Sequence, residues 1–394
     1  MPPQDEMTID ERRKYLKLMA PRYQQAKRKE RSQLLSEMEQ VTQLHRKHVI
    51  RLLGGQSLER QKRRTPRSRS YGLEVERVVL QVWESLDYIC AERLTPSLVW
   101  MARHLASFGV LVLTAEVESH LATISCATVQ RMLRKNRARK ARLPRKGPQR
   151  ANQVTKGVPM ERIPWDTKEP GHFETDLVHH GGESTIGEYG YTLQLIDVAT
   201  GWSERVMLLG RGQQAMERAF QQVLDRLPFA IKELHPDNGT EFFNAHLVRF
   251  WKEKVTGVHL SRSRPYQKND NRYVEQKNDT LVRQYFGELR LDTPEQIAAG
   301  NALYERMWLY YNLFQPVMHL CEKTVDGDKV HRKWDQAQTP YQRLLATGVL
   351  SQEQQARLQA LYEQTNPLLL REEIYAGLDV LWTTAVVVQN GTAA

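Results

Sequence analysis

Apolar positions recur at helical spacing along most of the chain, and only between residues 171 and 261 do they alternate as in strands. Near the N-terminus, Thr8 or Asp10 is placed to cap a helix that carries Tyr15, Leu18 and Met19 at helical spacing. A second helix, roughly 32–41, puts Leu34, Leu35, Met38 and Val41 on one face. After a tight connection at 42–44, a short helix from His45 to Leu53 stops at Gly54-Gly55. It turns Val49, Ile50, Leu52 and Leu53 inward and Arg46, Lys47 and Arg51 outward. Two helices, a short turn and an exposed basic helix predict a helix-turn-helix module; the plainer reading is a helical hairpin with a solvated face.

A second helical stretch follows, with Val75, Val78, Val79, Val82, Leu86 and Ile89 in register. Thr95-Pro96 predicts an N-cap and first helical residue for a helix through Leu98, Met101, Ala102 and Leu105, ended by Gly109. Thr114 starts another helix, and Ser125 caps the last one, over 126–137. That helix turns Val129, Met132 and Leu133 inward and leaves Gln130, Arg131, Arg134 and Lys135 outward, which predicts a second helix-turn-helix module.

From Gly171 the texture changes. Alternating segments at 173–178, 191–198, 204–209, 231–234 and 258–261 predict five strands. Helical patterns at 213–227, at 245–253 and around Glu275 are interleaved with them, so the region is an α/β domain with a mixed sheet. Beyond residue 320, a charged segment with Asp326-Gly327 as a hairpin turn precedes helices opened by Thr339-Pro340 and capped by Ser351. An apolar-rich helix over 368–382 and a frayed tail from Ala385 complete a small, mainly helical C-terminal region packed on the core. The expected organisation is multidomain: helix-turn-helix modules at 1–56 and 72–137, linkers at 57–71 and 138–170, a catalytic core at 171–320 and an appendage at 321–394.

Charge sharpens this picture. The net charge is +11 over 394 residues, yet Arg60–Arg69 holds six Lys/Arg and Arg131–Arg150 holds ten, with no acid in either run. Those two runs exceed the whole net charge, so the positive charge is concentrated beside the helical modules, where it suits a polyanion such as double-stranded DNA. Arg63, Arg64, Arg139 and Lys140 in these runs join Arg46, Lys47, Arg51, Gln130, Arg131, Arg134 and Lys135 as candidate DNA contacts. Three dispersed cysteines (Cys90, Cys126, Cys321) argue against a disulfide framework. No apolar run is long enough to span a membrane, so the expected setting is the cytoplasm, at nucleoid DNA in a bacterial host. His45 and His48 form an H-x2-H pair without a matching cysteine pair, which argues against zinc.

Three carboxylates stand in telling contexts: Asp176 in HFETDLV, Asp237 in HPDNGTEF and Glu275 in SRSRPYQKNDNRYVEQKN. Phosphodiester chemistry needs an activated oxygen nucleophile and neutralisation of charge on the phosphate. A pair of Mg2+ ions about 4 Å apart on hard oxygen ligands supplies both, and Mn2+ can substitute. Asp176 lies within a strand whose alternation places Glu174, Asp176 and Val178 on one face; Asp237 follows a strand end; Glu275 opens a helix. Glu174, Asp197, Glu241, Asp270 and Asp279 read as caps, turns or surface acids, and His179 and His180 as loop residues.

These three motifs together resemble the DDE catalytic core of insertion-sequence transposases, in the retroviral-integrase superfamily. The resemblance is clear over residues 171–320 and looser for the N-terminal modules and the TPYQRLL segment at Thr339–Leu345. It implies a ribonuclease-H-like fold for the core, with Asp176, Asp237 and Glu275 as metal-binding acids, and 37 residues separate the last two, close to the family's spacing. It further implies metal-dependent cleavage at transposon ends, strand transfer into target DNA, and a homo-oligomer, at least a dimer, holding two ends. Arg262, Arg264, Lys268 and Arg272 would grip phosphates, while Tyr266 would stack on DNA or pack. Many relatives carry Lys or Arg seven residues after the glutamate; here that position is Val282, leaving Arg283 or Lys277 for the role. Alternatives from other classes are a transposase-derived DNA-binding regulator without catalysis and a ribonuclease-H-type nuclease.

Overall fold

The computed structural model describes residues 7–54, 71–136, 168–182, 186–236, 245–255, 257–261, 272–287, 289–326 and 329–391. Among the sites named above, Arg63, Arg64, Arg139, Lys140, Asp237, Glu241, Arg262, Arg264, Tyr266, Lys268 and Asp270 lie outside the described residues. The chain forms two compact units, Met1–Ser70 and Tyr71–Ala394.

The first unit is three helices, α1 (Ile9–Gln25), α2 (Arg28–Thr42) and α3 (Arg46–Leu53). Thr8 caps α1 in a reciprocal box with Glu11, as its sequence suggested. The buried stripe of α1 runs Tyr15, Leu16, Met19, Ala20 and Tyr23, a helical repeat that leaves Leu18 71% exposed. Leu16, not Leu18, is therefore the core residue. On α2 the stripe likewise ends on buried Thr42, whose hydroxyl donates to the Met38 carbonyl, while Val41 faces solvent. Val49 and Leu53 anchor α3, and Ile50 is exposed.

The second unit opens with five helices: α4 (Leu73–Ser85), α5 (Ala91–Leu94), α6 (Leu98–Ser107), α7 (Ala115–Thr123) and α8 (Cys126–Lys135). Thr114 and Ser125 accept from backbone N–H groups as N-caps, and Gly109 ends α6 at φ +70°. Thr95 does not cap a helix. Its hydroxyl donates back to the Ala91 carbonyl, and Thr95–Ser97 form a 3-10 joint fusing α5 to α6. Pro96 tolerates that joint because a first-turn residue has no intrahelical N–H bond to lose.

Five strands follow: β1 (His172–His180), β2 (Gly190–Asp197), β3 (Ser203–Leu209), β4 (Glu233–Pro236) and β5 (His259–Leu260). The sheet order is β3-β2-β1-β4-β5, with β1–β2 and β2–β3 antiparallel and β1–β4 and β4–β5 parallel. This is the mixed five-stranded sheet expected of a ribonuclease-H-like core. β1 runs further than its alternation suggested, so His179 and His180 close the strand and are not loop residues.

One face of the sheet carries Phe173, Leu193, Leu195, Val206 and Leu208, covered by Met216, Ala219, Phe220 and Val223 of α9 (Gln213–Arg226). Burying each large side chain there contributes about 1.5–3 kcal/mol. The edge of β3 is closed by side chains. Asn312 and Asn301 each accept from and donate to the strand backbone, at Ser203 and Met207, and Arg226 donates to the Arg205 carbonyl. These side chains occupy the edge groups at Ser203 and Met207 and the Arg205 carbonyl, which hinders pairing of a further strand there.

The opposite face lies under α11 (Arg272–Lys277), α12 (Gln284–Phe286) and α13 (Pro294–Leu309); α10 (Ala245–Lys254) precedes them in the chain. A hairpin, β6 (Leu320–Asp326) with β7 (Lys329–Trp334), leads to α14 (Pro340–Thr347), α15 (Gln352–Gln364) and α16 (Pro367–Gly391). α16 continues past Ala385, where the sequence suggested a frayed tail. Its Leu370, Ile374, Leu378 and Leu381 share a core with Leu303, Tyr304 and Met307 of α13. Polar ties fasten the end of α4 to this body: Arg371 Nε lies 3.1 Å from Asp87 Oδ1, Tyr375 donates to Asp87 at 3.0 Å, and Tyr310 donates to the Ser85 carbonyl at 2.7 Å.

Candidate active site

Cross-strand pairing aligns Asp176 with Gln194 and Gln194 with Arg205, so the three side chains form a row on the face beneath α11 and α13. Alternating polar residues in a strand normally mark a solvated face, yet Gln194 and Arg205 are almost wholly buried. The Arg205 guanidinium lies over the rings of Tyr304 and Tyr311, at 5.6 and 5.4 Å from their centroids. Burial holds its pKa below the usual arginine value.

Asp176 is half-buried. Its Oδ1 accepts from the Leu177 N–H at 2.8 Å, and its Oδ2 accepts from the side-chain amide of Asn278. Glu174, two residues earlier on the same face, is fully buried and accepts from the Val274 N–H at 2.9 Å. Val274 is in the first turn of α11, where backbone N–H groups have no intrahelical partner and a carboxylate is favoured. Of the cap, turn and surface roles left open for it, Glu174 thus takes that of a helix cap, supplied by a strand. Between these two ties sits Glu275, exposed on the first turns of α11.

The remaining site residue, Asp237, is the next residue after Pro236, which ends β4 paired beside Thr175. Among the described residues no three His, Cys, Asp or Glu side chains gather as a metal site. Asp197, the buried acid at the end of β2, accepts from Gly171 N and from the Thr200 N–H and hydroxyl, so it holds a turn. Burial pushes its pKa up, against the pull of those hydrogen bonds. His180 shares a hydrogen bond of 2.7 Å with Thr192, which in turn bonds Tyr304. Burial first, then His179 and Arg283, lower its pKa to about 3.

Beyond Glu275, residues Asn278–Arg283 form a π-helical turn. A π turn carries one residue more than an α turn and rotates everything beyond it. In an uninterrupted α-helix, a residue seven positions after Glu275 would share its exposed face. Here that residue, Val282, is fully buried, and Arg283 is exposed in its stead. Lys277 faces elsewhere, half-buried in a cavity, with its pKa lowered to about 7 by burial and then by Arg93 and Arg205.

The other candidate DNA contacts are divided between the units. On α3, Lys47 and Arg51 are exposed, whereas Arg46 bonds Ser36 Oγ and Ser32 Oγ, each at 2.9 Å, and so pins α3 to α2. His45 caps α3 by accepting from Lys47 N, and His48 meets Arg51. On α8, Gln130, Arg131, Arg134 and Lys135 all lie exposed. Arg272 is the first residue of α11. Sequence reasoning missed Asn278, Gln194 and Arg205; the signal for the last two was a polar pair at matching strand positions.

No family model matches the chain. It is 35% identical over 325 residues, 82% of this chain and 91% of the relative, to the uncharacterized protein y4rM of Sinorhizobium fredii (strain NBRC 101917 / NGR234). The chain belongs to the y4rM family. Among solved structures, the chain is similar to the catalytic core domain of BIV integrase, 16% identical with a TM-score of 0.29 over 45% of this chain and 95% of that one. It is also similar to the simian T-cell lymphotropic virus intasome in complex with PP2A regulatory subunit B56 gamma, 16% identical with a TM-score of 0.32 over 56% and 71%. Among the described residues no helix is long and apolar enough to cross a membrane.

Proposed function

We propose that the chain is a DDE transposase that binds the terminal repeats of a mobile DNA element, cleaves DNA at its ends and joins them to target DNA. The observation that carries this reading is the double tie of α11, the helix that carries Glu275, to β1, the strand that carries Asp176: Val274 donates to Glu174 and Asn278 to Asp176. The mixed sheet beneath, and the arrival of β4 beside Thr175 one residue before Asp237, support it.

The donor set fits hard divalent cations. Asp176 is a carboxylate with one oxygen fixed by an amide donor, and Glu275 is an accessible carboxylate on the adjoining turn. Asp176, Asp237 and Glu275 would hold two Mg2+ ions, or Mn2+ in their place. When bound, these ions supply an activated oxygen nucleophile and neutralise charge on the phosphate. The chain's own work is orientation: Asn278 sets the rotamer of Asp176, and Glu174 fixes the start of α11, so that Glu275 is presented at a set height above β1. The exposed Arg283 takes the DNA-facing role that Val282 does not fill. The helices α1–α3 and α4–α8 act as helix-turn-helix readers, with Lys47, Arg51 and the exposed row of α8 against DNA. Two ends must be handled together, so the working form is at least a dimer on DNA.

The test uses oligonucleotides carrying the inverted repeats that flank the coding region. Asp176→Asn, Asp237→Asn and Glu275→Gln should each abolish Mg2+-dependent strand joining while binding to the ends persists. Joining retained in any one of them removes that residue from the catalytic set and overturns the reading.

A further inference from the structure

Three buried side chains on or against the covered face of the sheet carry polar atoms that hydrogen-bond to no described residue: Gln194 at both Nε2 and Oε1, Arg205 at all three guanidinium nitrogens, and Asn278 at Oδ1. Each of the three is at most 3% exposed. Gln194 and Arg205 are cross-strand partners on one side of β2 and β3, where paired Cβ atoms stand about 5 Å apart. At that separation the two side chains could bond each other, and they do not. Asn278 joins the group by way of Asp176, which is paired with Gln194 and accepts from the other end of the Asn278 amide.

Neighbouring side chains do not answer these atoms. Glu204, next to Arg205 in the strand, points to the opposite face and accepts there from Trp202, Trp308 and Arg226. The rings of Tyr304 and Tyr311 lie against the guanidinium, yet a ring face attracts its charge without accepting its in-plane N–H groups. A guanidinium and an amide buried without hydrogen bonds are costly. The orphaned set is also mixed: Arg205 and Gln194 Nε2 only donate, whereas Gln194 Oε1 and Asn278 Oδ1 only accept. An anion would meet the donors and leave both acceptors unmet, while water serves both. Room lies close by. The next pair along the same face, Ile196 and Ser203, lines a cavity of about 610 Å3 together with Tyr311.

We propose that trapped water, entering from that cavity, bridges Arg205 to Gln194 and reaches Asn278 Oδ1. One buried network then runs from β3 to the amide that holds Asp176.

The experiment has two arms, both on the full-length chain. A crystal structure at a resolution that shows water, from crystals soaked in bromide, is expected to place water within hydrogen-bond distance of both Arg205 and Gln194. A bromide peak at Arg205, a direct Arg205–Gln194 bond, or a dry gap between them overturns the proposal. The second arm is a double-mutant cycle in urea with Gln194→Leu, Arg205→Met and the two combined. A water bridge predicts that each single variant lowers the folding equilibrium constant by about tenfold, and that the second substitution costs little once the first is made. A dry seam predicts the reverse, because replacing an unpaired buried polar group by an apolar one is neutral or stabilising. Arg205→Met also loses its contacts with Tyr304 and Tyr311, so Gln194→Leu decides this arm: unchanged or raised stability there overturns the proposal. Should the variants not fold, the crystal of the unaltered chain decides alone. Neither arm reads metal binding or strand joining, so failure here leaves the assignment of Asp176, Asp237 and Glu275 untouched.

Discussion

Asn278 donates its side-chain amide to Asp176 across 102 residues of sequence, three positions after Glu275. The contact couples a strand carboxylate to the helix that carries the other candidate ligand. Removing an orienting partner of a ligand commonly lowers affinity or activity by about 10–100-fold. Asn278→Ala should therefore reduce strand joining by about tenfold with end binding unchanged, as single-turnover assays would show. Asn278→Asp should be worse, since it sets a like charge against Asp176. Wild-type joining rates in both variants would deny Asn278 this role.

The exposed row of α8 makes a separable prediction. Arg131→Ala and Arg134→Ala should each weaken binding to the element's ends and flatten the salt dependence of the binding constant by about one unit of log–log slope. Strand joining at saturating protein should be preserved. An unchanged salt slope would remove α8 from the DNA interface.

Asp87 and Arg371 form a nearly buried ion pair that fastens the end of α4 to α16. Breaking such a pair from one side leaves an uncompensated charge and costs about 3–5 kcal/mol. Asp87→Ala should lower stability by about that amount in urea unfolding. Tyr375→Phe, which removes only one hydrogen bond to Asp87, should cost about 1 kcal/mol. Equal effects from the two substitutions would contradict the pair's role.

Gly171 sits at φ +114°, and a Cβ placed there would come within 2.7 Å of the Ala230 carbonyl oxygen. Its N–H also donates to Asp197 at 2.8 Å, so the entry into β1 is fixed from both sides. Gly171→Ala combines an unfavourable backbone region with a clash against backbone, at about 2 kcal/mol or more. A melting temperature equal to that of the wild type would contradict this.

Two histidines, His180 buried and His319 half-buried, contribute to the acid limb of stability. Burial first, then neighbouring charges, lower the His180 pKa to about 3 and the His319 pKa to about 4. In the unfolded chain both return to about 6.5, so below that pH the unfolded state binds protons that the folded state refuses. Their contribution is complete above pH 6.5 and falls as pH drops toward 4, by up to about 1.4 kcal/mol per pH unit for each group. Asp197, with its pKa raised, works in the opposite sense at the lower end of this window. Urea titrations at pH 7, 6 and 5 should show a steady loss, shallower in His319→Gln.

The parts of the fold that alternation and periodicity specify were legible. HFETDLV placed Glu174 and Asp176 on one face, and strand pairing and the bonds to α11 put them there. Glu174 was read only as one of several cap, turn or surface acids; that it holds the start of a helix a hundred residues away could not be read from the sequence. What could not be read was which faces helices would later cover. Gln194 and Arg205 look like solvated strand positions, and only the packing of α11 and α13 buries them. Leu18 failed as a core residue for the same reason: periodicity allows several adjacent stripes, and the partner helix chooses among them. Of the candidate acids, Asp176 and Glu275 fall on adjoining elements.

The π turn after Glu275 has a consequence for aligning this chain with its relatives. An expanded turn is the backbone form of a one-residue insertion. If the proposed transposase reading holds, alignment at fixed spacing sets Val282 at the position where such enzymes are expected to carry Lys or Arg. Opening a single gap within Asn278–Arg283 sets Arg283 at that position instead. Relatives that have Val or another apolar residue seven positions after the glutamate, followed at once by Arg or Lys, should therefore carry this insertion too.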